Sequence, residues 1–186
     1  MRTLKLPGLL LIATLLSSCA SYSDPAVYAK EQPTLDVQNY FNGTLDAWGM
    51  FQDRSGKIVK RFTVVIVCKW NGDTGTLDES FSYSDGSKQK RIWTLKKTGD
   101  NSFTGTAADV VGEAKGVVSG NTLHWNYVLS LPVGDSIYHV SFDDLMVLMD
   151  DKTMLNRAAM SKFGIGLGSV TLSFTKIADG KTGQVN

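Results

Sequence analysis

The 186-residue chain predicts an all-β fold, an antiparallel up-and-down β-barrel of about ten strands or a strongly curled sheet, and three observations predict it. From residue 40 onward, strand-like runs alternate with turn signals at a spacing of roughly 8–15 residues. The 18 glycines are spread along the chain rather than clustered, which suits many tight turns. No segment carries a sustained 3.6-residue apolar stripe, and only 155–162 is arguable as a helix. A meander of this length must protect its sheet edges, and closure into a barrel removes them.

Taken in order, residues 40–52 form the first run and end at Asp53-Arg54-Ser55-Gly56. Residues 57–70 follow, up to Asn71-Gly72-Asp73-Thr74-Gly75, and then 76–84, up to Asp85-Gly86-Ser87. Residues 88–97 end at Thr98-Gly99-Asp100-Asn101. Two runs, 102–110 and 113–118, lie on either side of Gly112, and 122–132 comes after Ser119-Gly120-Asn121. Beyond Val133-Gly134-Asp135, two arms fold back at Asp150-Asp151-Lys152, and a glycine run at 164–168 separates them from a last strand, 169–177. Consecutive hairpins of this kind give a lipocalin-like (calycin) barrel, whose interior is a packed core or a small-ligand cavity.

The N-terminus reads as an address. Arg2 and Lys5 precede an apolar run at 9–16, too short to span a bilayer but fitted to a signal peptide. It ends in Leu16-Ser17-Ser18-Cys19, which resembles the bacterial lipobox, so cleavage before Cys19 and lipidation of its thiol are expected. Several acyl chains anchor firmly, at about 0.8 kcal/mol per buried CH₂. Ala20 stands where inner-membrane lipoproteins of enteric-type bacteria carry aspartate, so the expected address is the outer membrane, facing the periplasm. The expected division is 1–18 signal peptide, 19–38 lipidated tether and 39–186 barrel domain. The tether holds Pro25 and Pro33, and fully extended it would reach roughly 60 Å. Removing 1–18 leaves 17 basic against 18 acidic residues, which gives no electrostatic reason to bind nucleic acid. With Cys19 lipidated, Cys68 has no disulfide partner, and its place in Val64-Val65-Ile66-Val67-Cys68 marks it as a small buried hydrophobe.

Two charged pairs fall on apolar strand faces. Glu79 alternates with Leu77, Phe81 and Tyr83, and Arg91 with Trp93 and Leu95. A three-residue turn at 85–87 sets Glu79 opposite Trp93, with Arg91 diagonal to it. In the second pair, Asp144 alternates with Phe142, Met146 and Leu148. A two-residue turn at Asp151-Lys152 then brings Arg157 inward, opposite Met146 and diagonal to Asp144. Buried charges are costly unless paired, so Glu79, Arg91, Trp93, Asp144 and Arg157 are the candidate ligand-binding residues. The alternative is two structural ion pairs that fix register.

The motifs AWGMFQDRSGKIVKRF (47–62), LDESFSYSDG (77–86), RIW (91–93), DVVGEAKG (109–116), FDDLM (142–146) and NRAAMSKFG (156–164) together resemble the DUF3833 family of bacterial lipoproteins. The resemblance implies a lipoprotein without established activity and supplies no catalytic residues. The association of family genes with membrane-lipid modification points towards a lipid ligand.

No Gly-x-Ser-x-Gly elbow is present, and 164–168 lacks the Lys-Ser/Thr ending of a phosphate loop. No catalytic residue, metal ligand set or cofactor is expected. His124 and His139 flank one loop and are expected as a surface pair. The favoured function is a non-enzymatic, outer-membrane-anchored carrier of an acyl-chain amphiphile, a fatty acid or lipid. One alternative is a solid barrel that docks onto an envelope or lipid-modifying protein. The other is an enzyme acting on a lipid, for which Glu79 or Asp144 must be free of its arginine and raised in pKa.

Overall fold

The computed structural model describes residues 24–177. Ten strands follow one another: β1 (Gly43–Asp53), β2 (Ile58–Asn71), β3 (Thr74–Tyr83), β4 (Lys88–Gly99), β5 (Ser102–Thr106), β6 (Ala114–Ser119), β7 (Thr122–Val133), β8 (Ser136–Leu148), β9 (Thr153–Lys162) and β10 (Ile165–Lys176). Each pairs antiparallel with the next, and β10 returns to β1, so the barrel is closed as expected. Strand alternation sets inside from outside. In β2, Phe62, Val64, Ile66 and Cys68 are buried while Arg61, Val67 and Lys69 face out. Burial pushes the Cys68 thiol up to about 12, which keeps it an inert hydrophobe.

Where large rings cross the barrel, glycines make room. A Cβ at Gly116 would meet Trp125 Cε3 at 2.4 Å, and one at Gly105 would meet Trp125 Cζ2 at 2.7 Å. Trp125 on β7 therefore lies flat over the backbone of β6 and β5. The same device seats Trp70 over Gly75.

The turns carry their own chemistry. Asp53 Oδ1 accepts from the Ser55 and Lys57 amides, Asp85 Oδ1 from the Ser87 amide, and Asp150 Oδ1 from the Lys152 and Thr153 amides. Aspartate side chains that mimic backbone in this way fix turn geometry.

The structure corrects four expectations. Between β3 and β4 the three turn residues are Ser84, Asp85 and Gly86, because the Tyr83 amide donates to the Ser87 carbonyl at 2.9 Å. The register shifts by two, which preserves faces, so Glu79 stands directly opposite Arg91 and Leu77 opposite Trp93. Between β8 and β9 the turn holds three residues, Asp150 to Lys152, rather than two, closed by Met149 N–H to the Thr153 carbonyl at 2.9 Å. A one-residue difference flips every side chain of the strand. Arg157 therefore pairs with Leu145 on the outer, exposed face, and Met154, Asn156 and Ala158 point inward in its stead.

Third, the glycine run at 164–168 lies mostly within β10, with a bulge between Gly166 and Gly168. The β9–β10 turn is Phe163-Gly164, both in the left-handed region at φ 52° and 76°, and Phe163 is 91% exposed at its tip rather than on the inner face.

Fourth, the expected tether is docked from Asp24 onward. A 3₁₀ turn at Pro25–Tyr28 packs against β6 and β7, and the Leu35 amide donates to Gly120 O at 2.8 Å. Helix α1 (Val37–Tyr40), N-capped by Asp36, then lies across one barrel end with Val37, Tyr40 and Phe41 buried. Tyr40 donates its hydroxyl proton to Lys152 O at 3.0 Å, and Trp70 Nε1–H donates to Phe41 O at 2.7 Å. Leu35, Val37, Tyr40 and Phe41 anchor this segment through short turns, so no period marks it in the sequence. Residues 1–23, Cys19 among them, lie outside the described residues.

Candidate functional site

The inner faces of the strands enclose a cavity of about 190 Å³. Phe41 and Val37 bound it at the end covered by α1, and its walls are mostly aromatic and aliphatic. Trp93 lines it, packed edge-on against Trp125 (5.8 Å between ring centroids) and Tyr127 (5.4 Å). Glu79, Arg91, Asp144 and Asn156 also line it. Of the five sequence-predicted ligand-binding candidates, four reach the cavity wall and Arg157 does not.

Arg91 is committed to a partner absent from that prediction. Its Nε lies 3.0 Å from both carboxylate oxygens of Asp109, and its Nη2 lies 2.7 Å from Asp109 Oδ2. The remaining Nη1 faces Glu79 Oε2 at 3.7 Å, an ion-pair distance without a hydrogen bond. Topology explains the Asp109 contact. Strand β5 ends at Thr106, so among the described residues the part of β4 from Lys88 to Trp93 has no strand on that side. The loop 107–113 fills the gap: on the β7 side the Val111 amide donates to Val128 O and Asp109 O accepts from the Ser130 amide, while the Asp109 side chain clasps Arg91 on β4. The clasp replaces missing backbone pairing. Its Nε–H and Nη2–H donors present the planar fork that suits a carboxylate. Asp109→Asn is expected to cost about 1–2 kcal/mol in a urea melt, less than a fully buried pair because Glu79 remains beside the guanidinium. No loss would show that the loop is held by its backbone bonds alone.

Glu79 and Asp144 are both pushed up to about 7. For each, burial is the main cause. In Glu79 the Arg91 charge opposes it, and in Asp144 the hydrogen bond from Asn156 does. Asn156 Nδ2 donates to Asp144 Oδ2 at 3.1 Å, and both residues are at most 5% exposed. The Tyr127 hydroxyl, itself raised by burial, also favours the charged form of Asp144. Among the described residues, three inward oxygens have no hydrogen-bond partner: Glu79 Oε2, Asp144 Oδ1 and Asn156 Oδ1.

Sequence reasoning missed Asp109, Asn156 and Tyr127. Tyr127 had a readable signal, since Leu123, Trp125, Tyr127, Leu129 and Leu131 alternate strictly. Asn156 was hidden by the turn-length error. Asp109 sits in a stretch that reads as strand but is a loop. The two histidines do not meet: His124 pairs with Leu145 and His139 with Ser130, six positions further along the same ladder. His124 is buried on the outer wall beneath Tyr28, at 6.1 Å between rings, and burial lowers its pKa.

The model of a family described as "protein of unknown function (DUF3833)" matches residues 13–176. No curated protein matches the chain. Among solved structures, the S-type phycobiliprotein lyase CPES from Guillardia theta superposes with a TM-score of 0.59 at 7% identity, over 85% of this chain and 99% of that one. A DUF3598-family protein of unknown function from Nostoc punctiforme gives 0.55 at 10% identity, over 79% of this chain and 51% of the other. At such identities the likeness is one of fold.

Proposed function

The chain belongs to the DUF3833 family, and from that premise we propose that it is a non-enzymatic lipoprotein of the outer membrane, anchored through Cys19 and facing the periplasm, whose barrel holds an acyl-chain amphiphile. The observation that carries this reading is the cavity of about 190 Å³ inside the barrel, apolar over most of its wall and polar at a few fixed points. A volume of this order exceeds the roughly 150 Å³ that accommodates benzene in an engineered apolar cavity. It holds the polar end and first carbons of a chain, with the remainder leaving by the end opposite α1. That end carries exposed apolar side chains on two neighbouring hairpins, Val133 and Ile137 on one, Phe163 and Ile165 on the other.

The docked segment also supports a position close to the membrane. Four residues separate Cys19 from Asp24, so an anchored barrel is held within about 17 Å of the lipid at full extension. A free fatty acid fits poorly as the amphiphile, because Asp109 already occupies the fork of Arg91. A solid interaction module, the competing reading, is disfavoured by the cavity itself. An enzymatic reading turns on Asp144, which is raised in pKa and bonded to Asn156 rather than to an arginine.

Native mass spectrometry of the full-length protein, released from its own membrane, tests the proposal. The expected result is a reproducible added mass that fragments as an amphiphile. A bare mass, with no uptake of added amphiphiles, would reject it and turn attention to the outer surface.

A further inference from the structure

The polar points of the cavity define the head group it accepts. Among the described lining residues Arg91 is the one cation, and two carboxylates face it: Asp109 takes Nε and Nη2, and Glu79 stands at 3.7 Å from Nη1. A ligand carboxylate or phosphate entering here would meet a cation that is already countered and two further carboxyl groups, Glu79 and Asp144. In a low-dielectric interior that like-charge encounter is costly.

Opposite needs are visible at β8 and β9. Asp144 Oδ1 and Asn156 Oδ1 are acceptors without a hydrogen-bond partner among the described residues, on side chains 4% and 5% exposed that line the cavity. The bond from Asn156 Nδ2 fixes Asp144 Oδ2, and the Tyr127 hydroxyl stands beside the same carboxylate, while Oδ1 of Asp144 and Oδ1 of Asn156 keep their capacity to accept from a ligand. Leaving such acceptors unmet costs free energy that a donor recovers on binding. An ammonium presents three N–H donors and no acceptor, and its charge complements a carboxylate.

We infer that the site at Asp144 and Asn156 takes the protonated amine of an amphiphile, and that the cavity discriminates against anionic head groups. This inference rests on the binding reading above and specifies its polar end. The rim, the α1 plug and Cys19 play no part in it.

Benzylamine, benzyl alcohol and benzoate share one ring and differ only in the head group, and each is small enough for the cavity. Titrated by calorimetry into the full-length protein in lipid nanodiscs at neutral pH, benzylamine is expected to bind about tenfold more tightly than benzoate, a gap of about 1.4 kcal/mol. In Asp144→Asn, which keeps shape and loses the charge, the gap should fall below about threefold, and Asn156→Leu provides a second variant should the first fold poorly. Circular dichroism of each variant checks the barrel. A wild-type gap below about threefold, or a preference for benzoate, overturns the amine assignment while leaving a binding cavity in place. A full preference retained in both folded variants overturns the assignment to this pair. Failure of all three probes to bind overturns the binding reading and this inference together.

Discussion

Trp125→Ala is expected to destabilise the barrel by about 3–5 kcal/mol, the range for removing a large buried aromatic side chain from a core that cannot collapse. Trp125 is 5% exposed and touches three neighbours whose geometry depends on it. Its indole covers the bare backbone of Gly105 and Gly116, and its edge meets Trp93 at 5.8 Å. The strands β5 and β6 are the shortest in the sheet, so this ring is much of what holds that wall to the core. The converse change, Gly116→Val, places a Cβ 2.4 Å from Trp125 Cε3 and forces the ring off its seat, costing about 1–3 kcal/mol by overpacking. The two sites share one volume, so the double variant should cost less than the sum of the singles by about 1 kcal/mol or more. Urea denaturation of the four proteins measures this. A loss below about 1 kcal/mol in Trp125→Ala would show that the ring is not the seat of the wall.

Why some of this was legible in sequence and some was not follows from where the information resides. Strand number and closure were readable, because alternation and turn residues are local. The inward direction of Glu79, Arg91, Trp93 and Asp144 was readable too, since a strand's period is two and an even error in register preserves faces. Turn length at Asp150 was the weak point. Two residues or three look alike when Asp, Asp and Lys are all good turn formers, yet the choice decides whether Arg157 or Asn156 faces in. The Asp150 side chain settles it by accepting from both the Lys152 and Thr153 amides. The Arg91–Asp109 clasp was beyond sequence reasoning for a different reason. It crosses a gap created by the early end of β5, and the loop that fills it has no periodicity to read. The α1 plug was lost in the same way, since its burial comes from a few residues spread over short turns rather than from a helix face.

Stability should fall as pH rises from about 5 to 8, against the habit of proteins whose carboxylates are paired. The folded barrel holds Asp144 and Glu79 at about 7, up from the ordinary carboxylate values of 3.8 and 4.5. Between those limits the native state binds more protons than the unfolded chain, so each group contributes stability that is full below its unfolded pKa and is lost as pH climbs through its folded pKa. Over the interval from 5 to 8 the expected loss is roughly 2–3 kcal/mol per group, at about 1.4 kcal/mol per unit. Asp143, also raised by burial, works in the same direction, while His124, lowered by burial, opposes it at the acid end of the interval. Asp144→Asn isolates the inner group from these neighbours. Asn keeps the shape beside Asn156, Tyr127 and Arg91 and carries no charge to bury. The variant should match the wild type near pH 5 and exceed it by roughly 2 kcal/mol at pH 8, with a flatter profile between. Urea midpoints at the two pH values give the answer. A wild type more stable at pH 8 than at pH 5, or a variant with an unchanged slope, would mean that Asp144 is ionised and solvated in the native barrel. The same ionisation couples to ligand: a bound ammonium stabilises the charged carboxylate, so saturation with benzylamine should restore part of the stability lost at pH 8 and benzoate should not.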